Sequence, residues 1–92
     1  MSDMARRYTE LAMSMFQTAE QISLEITAVM GRIQQCYTKI EDLNASDPNS
    51  SKLKSLITEC DELHMKLREL EEARLDAINL AHRFLIMAAS YA

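Results

Sequence analysis

Asn44-Ala45-Ser46-Asp47-Pro48-Asn49-Ser50-Ser51 is the one stretch of this 92-residue chain built from turn formers. Asn, Asp and Ser side chains compete for backbone hydrogen bonds and Pro fixes φ, so such a run interrupts regular structure. Asp47 before Pro48 predicts a helix start, with the carboxylate as N-cap and the proline in the first helical position. Asn44 is the expected terminator of the helix before it. The chain then divides into a helix over about 3–43, a turn at 44–47 and a helix over about 48–91, all within a single domain spanning 1–92.

On both sides of the turn, apolar residues recur every seven positions. In the first arm one row is Tyr8, Met15, Ile22, Val29, Cys36 and Leu43, and a second is Ala12, Ala19, Ile26, Ile33 and Ile40. In the second arm the rows are Leu53, Cys60, Leu67, Arg74, Ala81 and Ala88, and Leu56, Leu63, Leu70, Ala77, Phe84 and Tyr91. Two apolar positions per seven residues, sustained over five or six repeats, define a coiled-coil seam. A short turn makes the arms antiparallel neighbours. The expected fold is therefore all-α: an antiparallel two-helix coiled-coil hairpin. If Leu43 faces Leu53, facing numbers sum to 96, every seam position meets a seam position, and Cys36 meets Cys60.

Composition agrees. One Gly, one Pro and no Trp leave little material for the turns of a sheet protein or for a Gly-rich phosphate loop. The net charge of −4 and the lack of a dense basic stripe argue against nucleic acid as a partner. The longest apolar run, Phe84 to Ala89, is far short of the roughly 20 residues that span a bilayer. Two cysteines are too few for a disulfide-stapled secreted scaffold, and the start of the chain lacks the pattern of a cleaved leader, so a cytoplasmic setting is expected.

A two-helix seam buries only one stripe of each helix, which is marginal for so small a chain. Apolar residues outside the seam mark where more burial is available. One flank carries Phe16, Met30, Tyr37, Ile57, Ile78 and Leu85. The other is charged near the turn, with Glu25, Arg32, Lys39, Lys52, Glu59 and Lys66, and apolar at the open end, with Leu11, Leu80 and Met87. From Ala73 to Ala92 the second arm is apolar over most of its circumference, the pattern of a buried helix. The hairpin is thus expected to be completed into a larger bundle at its open end, by a partner helix or by self-association. The candidate partner-binding residues are Met13, Phe16, Leu75, Ile78, Leu80, Phe84, Leu85 and Met87. Seam alanines at the same end bury little area, so the ends are expected to fray until a second chain covers them.

Little in the chain carries chemistry. Cys36 and Cys60 read most simply as two buried thiols in one layer, with a disulfide or a zinc site completed by His64 as alternatives. His82 lies beside the seam with no telling partner, and no nucleophile–base–carboxylate set is evident, so neither enzymatic activity nor a cofactor or metal is expected. Arg74 is the one charge in the seam, able to pack its stem while its guanidinium reaches outward.

Two long helices joined at Ser46-Asp47-Pro48, with a broad apolar helix from Leu53 to Tyr91, resemble the small hairpin proteins of bacterial type III secretion. That resemblance covers architecture over most of the chain and implies one of two roles. Needle co-chaperones are helical hairpins that keep the needle subunit soluble. Needle subunits polymerise through their C-terminal helix. The regular heptads here suit the co-chaperone better. The expected function is a non-enzymatic protein–protein interaction module that packs against a partner's amphipathic helix. The alternative is a structural subunit that self-assembles.

Overall fold

The computed structural model describes residues 2–92. They form two helices, α1 (Asp3–Ser46) and α2 (Ser51–Ser90), packed on each other as an all-α hairpin. Its extents are 67 × 14 × 11 Å, and 44 residues of α1 at about 1.5 Å each account for the long axis.

The turn lies later than the sequence suggests. α1 runs through Asn44 to Ser46, and α2 starts at Ser51 rather than Pro48. The proline explains the shift. Its ring pushes the preceding residue out of the α region, and Asp47 sits at φ −152°, ψ 78° as the C-cap of α1, not as an N-cap. The Asp47 N–H still donates to the Leu43 carbonyl at 2.7 Å, closing the last turn of α1. The Ser50 N–H then donates to the Asp47 carbonyl at 3.1 Å, which makes 47–50 a β-turn with Pro48 at its favoured second position. Among the described residues no non-glycine residue has positive φ, so the turn is type I rather than type II. Ser50 takes the capping role expected of Asp47: its hydroxyl accepts from the Lys52 N–H at 3.2 Å.

The seam follows the heptad rows. Ile26, Val29, Ile33, Cys36, Cys60, Leu63 and Leu70 form one buried cluster, with Ile22, Ile40, Leu56 and Leu67 packed against it. Arg74 is half-buried, as its place in the row demands. Contacts between the helices scatter closely around the register in which facing numbers sum to 96. Phe16 meets His82, Tyr8 meets Phe84, and the Cys36 thiol donates to the Leu56 carbonyl at 3.3 Å.

Toward the open end the buried seam residues are Ala5, Ala12, Ala19, Ala77, Ala81 and Ala88. Ala12 and Ala81 are 0% exposed, tighter than any Leu or Ile of the central cluster. The register explains this, because it sets Ala12 against Phe84 and Ala81 against Met15, a small residue under a large one. Tyr91 is the exception to the row. The helix ends at Ser90, Tyr91 becomes its C-cap at φ −104°, ψ 0°, and its side chain leaves the seam track, 46% exposed.

The ends are tied together. The Ser2 hydroxyl caps α1 by accepting from the Ala5 N–H at 3.1 Å and donates to the Tyr91 carbonyl at 2.8 Å. Tyr8 stacks on Phe84 and on Tyr91, with centroids 6.1 and 5.7 Å apart. Helical structure reaches Asp3 and Ser90, and the stacked rings and the Ser2 hydrogen bond join the two ends.

Candidate interaction surface

The elongated shape leaves apolar surface uncovered. The radius of gyration is 20.5 Å, whereas a compact chain of this length has about 12 Å. The accessible surface is 6855 Å², roughly 1,400 Å² above the roughly 5,400 Å² usual for a folded monomer of 10.5 kDa.

That surface is divided by the seam into two flanks, and the sequence-derived partner residues fall on both. Met13, Phe16, Leu75, Ile78 and Leu85 lie on the first. Met13 and Leu75 are more than half exposed, Leu85 is 39% exposed, and Phe16 and Ile78 are half-buried at its edge. Phe16 is held in place by an edge-on contact with His82, at 5.8 Å between ring centroids. Leu80 and Met87 lie on the second flank with Met4 and Leu11, all between 38% and 41% exposed. Phe84 belongs to neither: it is half-buried in the seam under Tyr8, which leaves a partner only its edge. The C-terminal helix that reads as buried therefore has a covered side only toward α1, and Ile86 is 68% exposed on its back.

Two features of the first flank have no clear sequence signal. The Tyr37 hydroxyl and His64 Nε2 lie 2.5 Å apart, bridging the helices on the side where the apolar strip continues to Ile57. Both histidines of the chain thus pack against aromatic rings on this flank. The 27 residues between Tyr37 and His64 show nothing until the register is fixed. Leu24 and Met65, 65% and 63% exposed, stand singly on the outer faces of the helices and extend neither flank.

The cysteines are both buried and free. Burial pushes the Cys36 thiol above its ordinary value of 9.0, with the Glu59 carboxylate and the neighbouring Cys60 thiol adding to the rise and Lys39 opposing it. Tyr37 is raised above 10.0, chiefly by the nearby Cys60 thiol, then by burial. Among the described residues no group of three His, Cys, Asp or Glu side chains is placed to hold a metal ion, so Cys36, Cys60 and His64 do not form the zinc site their spacing allows.

The raised Cys36 value has a consequence for stability. The folded chain keeps this proton to higher pH than the unfolded chain does. The resulting stabilisation is complete below pH 9 and is lost as pH rises through the folded-state value. Tyr37 adds a loss of the same sign above pH 10. Unfolding midpoints measured from about pH 8 to about pH 11 are expected to fall, with Cys36→Ala flattening the first part of the decline. An identical slope in that variant would mean the thiol is not the group responsible.

No helix among the described residues is long and apolar enough to cross a membrane. Comparison with protein families, with curated proteins and with solved structures gives no match. The two uncovered apolar flanks at the open end are thus the feature of the molecule on which a functional reading rests.

Proposed function

We propose that this hairpin is a non-enzymatic interaction module, a co-chaperone or assembly adaptor whose open end packs against an amphipathic helix of another protein. The observation behind this reading is the polarity of the uncovered surface. Leu80, Leu85, Ile86 and Met87 are each at least 39% exposed at the open end, whereas toward the turn the second flank is charged and only the first keeps exposed apolar residues such as Tyr37 and Ile57. Apolar patches of this kind on a small chain mark interaction sites. An amphipathic helix laid into an apolar groove is a common way of covering one, and the methionines Met4, Met13 and Met87 supply adaptable contacts. A cytoplasmic setting belongs to the same reading, since buried thiols stay reduced there. Type III secretion, where hairpins of this shape guard needle subunits, is one system in which such an adaptor would serve. The competing reading, a structural subunit that polymerises through α2, draws on the same exposed helix.

Capture experiments from the native host test the reading. Leu80→Glu and Met87→Glu are expected to abolish partner binding, because each puts a charge into an apolar contact. Lys54→Glu and Glu62→Lys near the turn are expected to leave it unchanged, as exposed charge substitutions usually shift free energies by no more than about 0.5 kcal/mol. Equal losses from both pairs would show that binding is not confined to the open end. Growth of the lone protein into long polymers would favour the structural subunit.

A further inference from the structure

We infer that the first flank is covered by a second copy of this chain, giving a four-helix bundle of two hairpins lying side by side in the same direction, while the second flank stays free for the partner helix. The inference rests on the proposed docking role of the open end and divides that role between the flanks.

Area is the first argument. The first flank runs from the level of Thr9 and Leu85 to that of Tyr37 and Ile57, roughly 42 Å at 1.5 Å per residue. With the molecule 14 Å wide, two such faces bury roughly 1,200 Å² even if flat, which reaches the range of stable interfaces. The second flank offers apolar surface only over its open third, too short for the same purpose. A dimer on the first flank would remove roughly 600 Å² from each chain, about two fifths of its roughly 1,400 Å² excess.

Charge is the second. In a two-fold pair lying parallel, α1 of each copy lies over α2 of the other at the same height. Along the flank Glu41 then meets Lys54, Gln34 meets Asp61, and Thr27 meets Arg68. Glu20 lies over Leu75 and Met13 over His82, so no like charges are stacked helix over helix, and Glu71 stands only diagonally across the lengthwise axis from its own copy. Reversing one hairpin at full overlap brings Glu71 against its own copy near the axis, because Glu71 stands at mid-height. Like charges facing across an interface oppose that arrangement.

The test is the solution mass of the intact protein by light scattering. Wild type is expected at twice 10.5 kDa at concentrations up to about 100 µM. Leu75→Glu with Leu85→Glu is expected to weaken the dimer roughly a hundredfold or more, at unchanged helicity, because both side chains are exposed in the single chain. Leu75→Ser with Met13→Ser is the milder pair should the first lose helicity. Leu80→Glu with Met87→Glu should keep the dimer and lose only the partner. Carbodiimide coupling in a mixture of isotope-labelled and unlabelled chains should join Glu41 of one copy to Lys54 of the other. A wild-type monomer throughout, or a dimer broken only by the Leu80 and Met87 pair, overturns the inference. A monomer that still captures its partner leaves the interaction module standing. A wild-type dimer that captures no partner would refute the module instead.

Discussion

Leu63→Ala is expected to lower the free energy of unfolding by about 2–4 kcal/mol, whereas Leu24→Ala removes the same atoms and is expected to change it by less than about 0.5 kcal/mol. The difference comes from position alone. Leu63 is 6% exposed in the central cluster, facing Ile33 across the seam; Leu24 is 65% exposed on the back of α1. The loss stays below the largest values seen in globular cores because no second layer of structure lies behind the seam, so the helices can close part of the cavity. A chain of 92 residues is held by about 5–14 kcal/mol, so even this loss is a large fraction of the total. Urea midpoints at fixed protein concentration, with the slope unchanged, measure it. Equal effects at the two leucines would mean that the seam is not the core.

The seam was legible because a coiled coil depends on one periodicity, and all but one member of the two rows per arm proved buried or half-buried. Tyr91 fails because the row extends past the last helical residue, where a seven-residue count has no meaning. The turn was found but misplaced by three residues. Asp47-Pro48 satisfies the rule for a helix start and equally the rule that a residue before proline leaves the helix. The second wins here because Ser50 offers an N-cap three residues later and the β-turn at 47–50 satisfies the backbone in between. The open end was legible as apolar, but the contacts that join its two helices were not. They link Ser2 and Tyr8 to Tyr91, and contacts across more than 80 residues have no signature in local spacing. The heptad rows already set Phe16, Ile78 and Leu85 on one flank, Leu80 and Met87 on the other and Phe84 in the seam; what they do not reveal is how far each is exposed, from half-buried Phe16, Ile78 and Phe84 to Leu75 at 57%.

Ala12→Leu is expected to cost about 3 kcal/mol, near the top of the usual range for overpacking. Alanine is the best helix former, and in an exposed place such as Ala28 the change to leucine is nearly neutral, so propensity cannot account for the loss. Space can. Ala12 is 0% exposed and faces Phe84, whose ring is already stacked on Tyr8, so three added carbons have nowhere to go unless the helices part. Parting them there pulls Tyr8 from Phe84 and strains the hydrogen bond from Ser2 to the Tyr91 carbonyl, while the central cluster from Ile26 to Leu70 lies more than three helical turns away and is left intact. Hydrogen exchange should therefore show protection lost before about residue 20 and after about residue 76, with the middle of both helices unchanged, a local opening rather than global unfolding. If Ala12→Leu instead stabilises the chain, the seam at the open end is loose, and its closure rests on the aromatic rings alone. Tyr8→Ala would then release the ends as fully as any change at the alanines.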